Sequence, residues 1–264
     1  MEIRELLAVN RQFVIGMVHC LPLPGTTGYR GSVEEIYRQA VQDARTLEES
    51  GVDAVIVENM GDDPFGVMLD LIQRTTLAVA AQKVRDAVHI PVGVDAAFCD
   101  WEASLSIAYS TGCQFVRIPV FVDTVEFYGG LITPCAKDCM RYRHLMGMDS
   151  VMVLADIQVK HTNMLLPHVS IEQSAKNAAA CGADGIIVTG SAIGIETPIE
   201  MIEKVKKVVP VPVIAGSGVN AANIGEQLKI ADGAIIGSSL KEGGIVSNPI
   251  SGRLVKEVLA GLDR

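Results

Sequence analysis

Eight apolar runs of strand length recur along the chain, at Phe13–Val18, Val52–Val57, Pro91–Val94, Phe115–Ile118, Val151–Ala155, Gly185–Val188, Pro212–Ala215 and Gly233–Ile236. The segments between them have helical period. In Val33–Ser50, for example, Val33, Ile36, Tyr37, Ala40, Ala44 and Leu47 paint one face of a helix. The runs are continuous rather than alternating, which is how parallel strands covered on both faces read. A strand–helix unit repeated eight times over about 250 residues leaves two architectures, a closed barrel and an open doubly wound sheet. The first strand–helix turn lacks the Gly-x-Gly-x-x-Gly of a dinucleotide-binding sheet, and no composition break marks a second domain. The expectation is therefore a single α/β domain over residues 1–264, a (β/α)8 TIM barrel with a short N-terminal extension of about a dozen residues.

Local signals agree with that reading. Ser32-x-x-Glu35 and Ser170-x-x-Gln173 are capping boxes, and Thr197-Pro198-x-Glu200 reads as a helix start with proline in the first helical position. Gly51, Gly112 and Gly182 mark helix ends. Each heads a phrase that runs into a strand: Gly51-Val-Asp-Ala-Val-Ile-Val, Gly112-Cys-Gln-Phe-Val-Arg-Ile and Gly182-Ala-Asp-Gly-Ile-Ile-Val, with Ala231-Asp-Gly-Ala-Ile-Ile-Gly a fourth copy.

Composition narrows the function. A net charge of −9 with no basic run longer than Lys206-Lys207 argues against nucleic acid and anionic membranes as partners. No apolar run approaches the roughly 20 residues that span a bilayer. Phe13–Leu21 imitates a signal peptide core, but Glu2 and Glu5 precede it and Pro22 and Pro24 follow it, so it reads as a first strand. Cys20, Cys99, Cys113, Cys135, Cys139 and Cys181 are scattered, and Cys135-x3-Cys139 has neither zinc nor iron–sulfur spacing. Reduced thiols in a cytoplasm are expected.

In a barrel of this kind the chemistry collects at the carboxyl ends of the strands. Five ends are ionisable: His19, Glu58 with Asn59, Asp95, Arg117 and Asp156. Charges confined to one end of successive strands should ring an open mouth, because a lone charge within a strand is costly to bury. The alternative is a structural network, with Arg117 paired to Glu58 or Asp95. In Asp156-Ile-Gln-Val-Lys160-His161, even spacing puts Lys160 beside Asp156 if the backbone stays extended. Lys160 could then hold an anion, form a Schiff base or simply face solvent. His19 and His161 are candidates for acid/base work because imidazole titrates near neutrality. Asp156 and His19 are the expected acid/base pair, with Glu58 a second carboxylate and Arg117 polarising a substrate oxygen.

The last three strands end without charge, in Thr189-Gly-Ser-Ala-Ile-Gly194, Gly216-Ser-Gly218 and Gly237-Ser-Ser239. Glycine lets backbone N–H groups approach an oxyanion and serine adds donors, so Thr189, Gly190, Gly216, Ser217, Gly218, Gly237, Ser238 and Ser239 are the expected phosphate cradle. Tight turns that need glycine anyway are the competing explanation. Three long loops, Cys20–Gly31, Asn59–Gly66 and Val120–Lys137 with Phe121, Phe127 and Tyr128, are candidate lids. His19, Glu58, Asp95, Asp156 and His161 could converge on a divalent metal, although no local ligand motif fixes one. Walker A, Gly-x-Ser-x-Gly and His-Glu-x-x-His motifs are absent, which removes support for NTPase, serine hydrolase and zincin chemistry.

Val14-Ile-Gly-Met-Val-His19-Cys-Leu-Pro-Leu-Pro-Gly25, Gly51-Val-Asp-Ala-Val-Ile-Val-Glu58-Asn-Met-Gly-Asp-Asp-Pro-Phe65 and Asp156-Ile-Gln-Val-Lys160-His161 resemble the BtpA/SgcQ family over essentially the whole chain. The resemblance implies a phosphate-binding TIM barrel. Some members of that family are named for photosystem I biogenesis, and SgcQ-type members are associated with carbohydrate metabolism. The expected function is an intracellular enzyme that transfers protons on a small phosphorylated metabolite such as a sugar phosphate, as an isomerase, epimerase or lyase. No bound redox cofactor is required for that chemistry. A flavin phosphate (FMN) in the same cradle would make the protein an oxidoreductase instead, and an assembly factor is the non-enzymatic alternative. The expected partners are the phosphorylated substrate and further copies of the chain.

Overall fold

Side chains of a strand alternate between two faces, and along the main strands of this chain both faces are buried. The computed structural model describes residues 2–8, 12–190 and 195–262. Its eight main strands are β1 (Phe13–His19), β2 (Ala54–Glu58), β3 (Val92–Asp95), β4 (Phe115–Ile118), β5 (Met152–Ile157), β6 (Gly185–Val188), β7 (Val213–Ala215) and β8 (Gly233–Ile236). All neighbours pair in parallel, and β1 pairs with both β2 and β8, so the sheet closes. The fold is the (β/α)8 barrel that the alternation of runs implies.

The interior face of the barrel carries Phe13, Ile15 and Met17 of β1, Ala54 and Ile56 of β2, Phe115 of β4, Met152 and Leu154 of β5, Ile187 of β6, Ile214 of β7 and Ile235 of β8, all in one buried cluster. Two residues beyond the last of these on β1, β2, β4, β5, β7 and β8 stand His19, Glu58, Arg117, Asp156, Gly216 and Gly237. The period of two therefore raises the polar residues as the next layer of the same interior stack. Register aligns them as well, with His19 opposite Glu58 and Glu58 opposite Asp95.

The floor is closed by the N-terminal extension. Its helix Ile3–Ala8 inserts Ile3, Leu6 and Leu7 into the interior cluster, and the Ile3 N–H donates to Gln114 Oε1 at 2.8 Å. Leu6 is fully buried there. Leu6→Ala is therefore expected to cost about 2–5 kcal/mol, read as a lowered denaturation midpoint with unchanged slope. A loss below about 0.5 kcal/mol would mean that the helix is not part of the core.

The helices cover the outside. Val33–Ser50 begins where Ser32 Oγ accepts the Glu35 N–H and ends at Gly51 with φ +100°. The expected start at Thr197 is displaced by one residue: Pro198 is the cap and the helix is Ile199–Lys206. Thr197 is drawn inward instead, its hydroxyl donating to the Val188 and Ser217 carbonyls at 3.3 and 3.2 Å. The long loop after β4 is not irregular. Val125–Phe127 and Gly130–Ile132 form a hairpin, and Asn163–Met164 from the loop after β5 adds a third antiparallel strand. No helix among the described residues is long and apolar enough to cross a membrane.

Candidate active site

A cavity of about 150 Å³ opens at the carboxyl ends of the strands. Six of the seven expected acid/base and charged residues line it: His19, Glu58, Asp95, Arg117, Lys160 and His161. Asp156 does not. It is buried, and Arg117 donates to both of its oxygens, Nε to Oδ1 and a terminal nitrogen to Oδ2, each at 2.8 Å. Arg117 thus pairs with Asp156 rather than with Glu58, and its Nε is 3.8 Å from Asp95 Oδ2.

The three carboxylates then differ by environment. Asp95 is 1% exposed, and neither of its oxygens accepts a hydrogen bond among the described residues. Burial pushes its carboxyl well above the usual range, and the charges of Glu58 and Asp156 add to the rise against Arg117. Burial alone would raise Glu58 too. The hydrogen bond and charge of His19, 3.4 Å away, together with Arg117 and Lys160, outweigh it and hold Glu58 below the usual range. One acid poised to keep its proton thus stands beside one poised to release it, a division that suits proton transfer.

Lys160 reaches the mouth by a route that simple spacing does not describe. The strand ends at Ile157, and Gln158 turns with φ +46°, so the segment is not extended. Asp123 from the loop after β4 accepts the Gln158 N–H at 2.7 Å and the Ser174 hydroxyl at 2.7 Å, which pins the turn. The Lys160 N–H donates to Thr189 Oγ1 at 3.0 Å. Burial, reinforced by the charge of Arg117, brings the Lys160 amine down to about 8, with Asp156, Glu58 and Asp95 opposing. Burial and Lys160 likewise lower His161.

Opposite lie the Gly/Ser ends of β7 and β8. Gly216, Ser217, Gly218, Gly237, Ser238 and Ser239 all line the cavity, whereas Thr189 and Gly190 do not; the Thr189 hydroxyl oxygen accepts the Lys160 N–H. Ser191 to Gly194, which continue the same uncharged strand end, lie outside the described residues. The Gly218 carbonyl accepts from the Asn220 and Asn223 side-chain amides at 3.1 and 3.0 Å. A trans peptide points its N–H opposite its carbonyl, so the Val219 N–H is turned away from the two asparagines. Among the described residues, the amides of Gly218, Val219, Ser238 and Ser239 donate to no backbone or side-chain acceptor. Ser239 Oγ donates to the Val219 carbonyl at 2.6 Å and so joins the two loops. His19 adjoins this wall: a Cβ added to Gly237 would stand 2.8 Å from its Cε1.

The remaining walls are apolar, from Met60, Phe65 and Phe98. Phe98 stacks on Phe127 of the hairpin with centroids 4.5 Å apart, and the Tyr128 hydroxyl donates to Asp63 Oδ1 at 2.9 Å while accepting the Phe65 N–H at 3.0 Å. The hairpin is thereby fastened across the loop after β2. That loop is itself locked. Asn59 Nδ2 donates to Asp62 and to the Ala97 carbonyl, its Oδ1 accepts the Ala97 N–H, and Asp62 accepts the Leu23 N–H at 2.7 Å. Asn59 and Asp62 therefore brace three loops around Glu58. Among the described residues no group of three or more His, Cys, Asp or Glu side chains is arranged to hold a metal; Arg117 supplies the positive charge among the carboxylates.

A closed parallel barrel with a polar cavity at its strand ends defines a TIM-barrel protein of the group whose site is built from the loops after the strands. The chain belongs to the BtpA family, whose model matches residues 10–264. A protein of Pyrococcus abyssi is 40% identical over 239 residues, covering 90% of this chain and 91% of that one. The photosystem I biogenesis protein BtpA of Synechocystis is 34% identical over 240 residues, covering 90% and 83%. Among solved structures, N-(5'-phosphoribosyl)anthranilate isomerase from Pyrococcus furiosus has a TM-score of 0.58 at 15% identity, covering 95% of this chain and 98% of that one. Thiamine phosphate pyrophosphorylase from the same organism has a TM-score of 0.60 at 14% identity, covering 98% and 97%. At these identities the structural likeness is one of fold.

Proposed function

We propose that the protein is an enzyme that transfers protons beside a carbonyl or hemiacetal carbon of a small phosphorylated metabolite, as an isomerase, epimerase or lyase. The observation that carries this reading is the bipolar cavity, with four amides on one wall that donate to no acceptor among the described residues, and on the other Asp95, its carboxyl raised by burial, beside Glu58, lowered by its contact with His19. The amides of Gly218, Val219, Ser238 and Ser239 bind the phosphate. Asp95 is the acid, Glu58 with His19 is the base, and Arg117, fixed by Asp156, polarises a substrate oxygen. Asp156 is thus a positioning residue rather than the acid/base partner of His19. The names of two structural neighbours, a phosphoribosyl and a thiamine phosphate enzyme, support a phosphorylated ligand.

Gly218→Ala tests the phosphate wall. Gly218 has φ +67°, and a Cβ there would collide with the Glu196 backbone nitrogen, so the substituted loop must move and carry its amides with it. Losing one or two charge-assisted hydrogen bonds weakens affinity for inorganic phosphate by about tenfold to a hundredfold in calorimetry. Unchanged affinity, or none in the parent protein, would remove the phosphate from this wall.

A second reading follows the name of the Synechocystis relative, a role in assembly of a larger complex. It draws on Leu131, Leu165 and Leu166, which the small sheet and its flank leave exposed. A stable partner complex that persists in an Asp95→Asn protein, from a parent with no phosphate affinity, favours it over the enzyme.

A further inference from the structure

We propose that Lys160 forms a Schiff base with the substrate, which makes the substrate a phosphorylated ketone or aldehyde; this rests on the phosphate reading of the opposite wall. The argument begins with what a buried lysine does when its role is structural. Lys241 is such a case: 2% exposed, its Nζ donates to the Val246 and Asn248 carbonyls at 2.8 and 2.7 Å and lies 3.7 Å from Asp43 Oδ2. Its donors are satisfied by the fold.

Lys160 differs on each count. It is the one lysine among the described residues that line the cavity. Asp156, Glu58 and Asp95 all act on it electrostatically, yet its ammonium forms no ion pair or hydrogen bond with any described residue. Arg117 has taken Asp156, and His19 has taken Glu58. The backbone holds it in place from both sides, through Asp123 at Gln158 and Thr189 at its own N–H. A lysine whose backbone is fixed and whose amine is unengaged is presented to the cavity rather than used by the fold.

Its neighbours provide what imine formation needs. The free amine adds to the carbonyl carbon, forming a C–N bond as the carbonyl π bond breaks and its oxygen takes a proton from water at the open mouth to become a hydroxyl. The nitrogen gives up a proton to the Glu58–His19 pair. Asp95 protonates the hydroxyl, the C–O bond breaks, and water leaves a protonated C=N group; hydrolysis reverses these steps. No oxidant or reductant is consumed. The cationic nitrogen then draws electrons from the adjacent carbon, which eases the proton transfer or carbon–carbon cleavage assigned to the site. A free-amine fraction on the order of a hundredfold above that of an ordinary lysine at neutral pH accompanies an amine brought down to about 8.

The test is reductive trapping. The full chain is incubated at neutral pH with dihydroxyacetone phosphate and cyanoborohydride, digested, and mapped by mass spectrometry. Lys160 is expected to carry the reduced adduct at least about tenfold faster than any other lysine, given its free-amine fraction. Inorganic phosphate should suppress the labelling, and unphosphorylated dihydroxyacetone should label poorly. Lys160→Arg keeps the positive charge, so it should bind phosphate within about threefold of the parent and lose the site-specific adduct. If the phosphorylated ketone binds by calorimetry while Lys160 remains unlabelled, or labelling is even over all lysines, the Schiff base is overturned and the phosphate wall stands. If dihydroxyacetone labels Lys160 as well as its phosphate ester does and phosphate gives no heat of binding, the phosphate wall falls and the lysine chemistry stands.

Discussion

Arg117→Leu is expected to cost about 3–5 kcal/mol of folding stability, because it removes the only partner that the described residues offer to a buried carboxylate pair. Asp156 and Asp95 are each 1% exposed, and Arg117 reaches the first with two hydrogen bonds and the second at 3.8 Å. Without the guanidinium Asp156 loses both of its hydrogen bonds in a dry site, and Asp95 loses the nearest positive charge. Chemical denaturation measures the loss, and the comparison that identifies its cause is the double variant Arg117→Leu with Asp156→Leu. Apolar groups of similar volume replace a buried ion pair at little cost, so the double variant should recover much of what the single one loses. A single variant that loses less than about 1 kcal/mol would show that the pair contributes little to the core. Either outcome separates the structural part of this network from its chemical part, since Arg117 lines the cavity and Asp156 does not.

Much of this arrangement is legible in the sequence, for reasons that particular residues make plain. His19, Glu58, Arg117 and Asp156 continue the period-two interior pattern set by Met17, Ile56, Phe115 and Leu154, so an apolar run that ends in a charge already places that charge on the barrel axis. The glycines of Gly216-Ser-Gly218 and Gly237-Ser-Ser239 mark the opposite wall by the same logic. What the sequence conceals depends on contacts between distant segments. The hairpin Val125–Phe127 with Gly130–Ile132 has strands of three residues, too short for periodicity to register, and it is completed by Asn163–Met164 from another loop. Asn59 and Asp62 read as part of a motif, but their partners are Ala97, Leu23 and Gln73, which nothing in the spacing connects. Thr189 reads as a phosphate donor because of its place at a strand end; it does not line the cavity, and its hydroxyl oxygen accepts the Lys160 N–H. Lys241 gives no sequence signal of burial at all, since its partners are backbone carbonyls. Roles set by pairing, unlike positions set by periodicity, are decided only when strands β4 and β5 stand side by side.

Asp95→Asn should separate catalysis from stability in opposite directions. As the proposed acid, Asp95 must deliver a proton that an amide cannot, so turnover should fall by about 10²–10⁴ while phosphate affinity stays within a few-fold. Stability should move the other way. Burial raises the Asp95 carboxyl in the folded chain, with Glu58 and Asp156 adding to the effect, so the folded state binds this proton more tightly than the unfolded state, where the group titrates near 3.9. Its contribution is then fully present below the unfolded value and is lost as pH rises through the raised folded value. Asparagine carries no such proton. The parent should therefore lose stability relative to Asp95→Asn as the solution is taken from acid to neutral pH, and at neutral pH the variant should be the more stable of the two, the signature of a buried group kept for its chemistry. Melting temperatures of both proteins over that range, together with turnover once a substrate is in hand, check both halves. Parallel melting curves would show that Asp95 is not held in a raised state, and an Asp95→Asn enzyme retaining more than about a third of parental turnover would end its role as the acid, since loss of a proton-transfer group predicts a far larger drop.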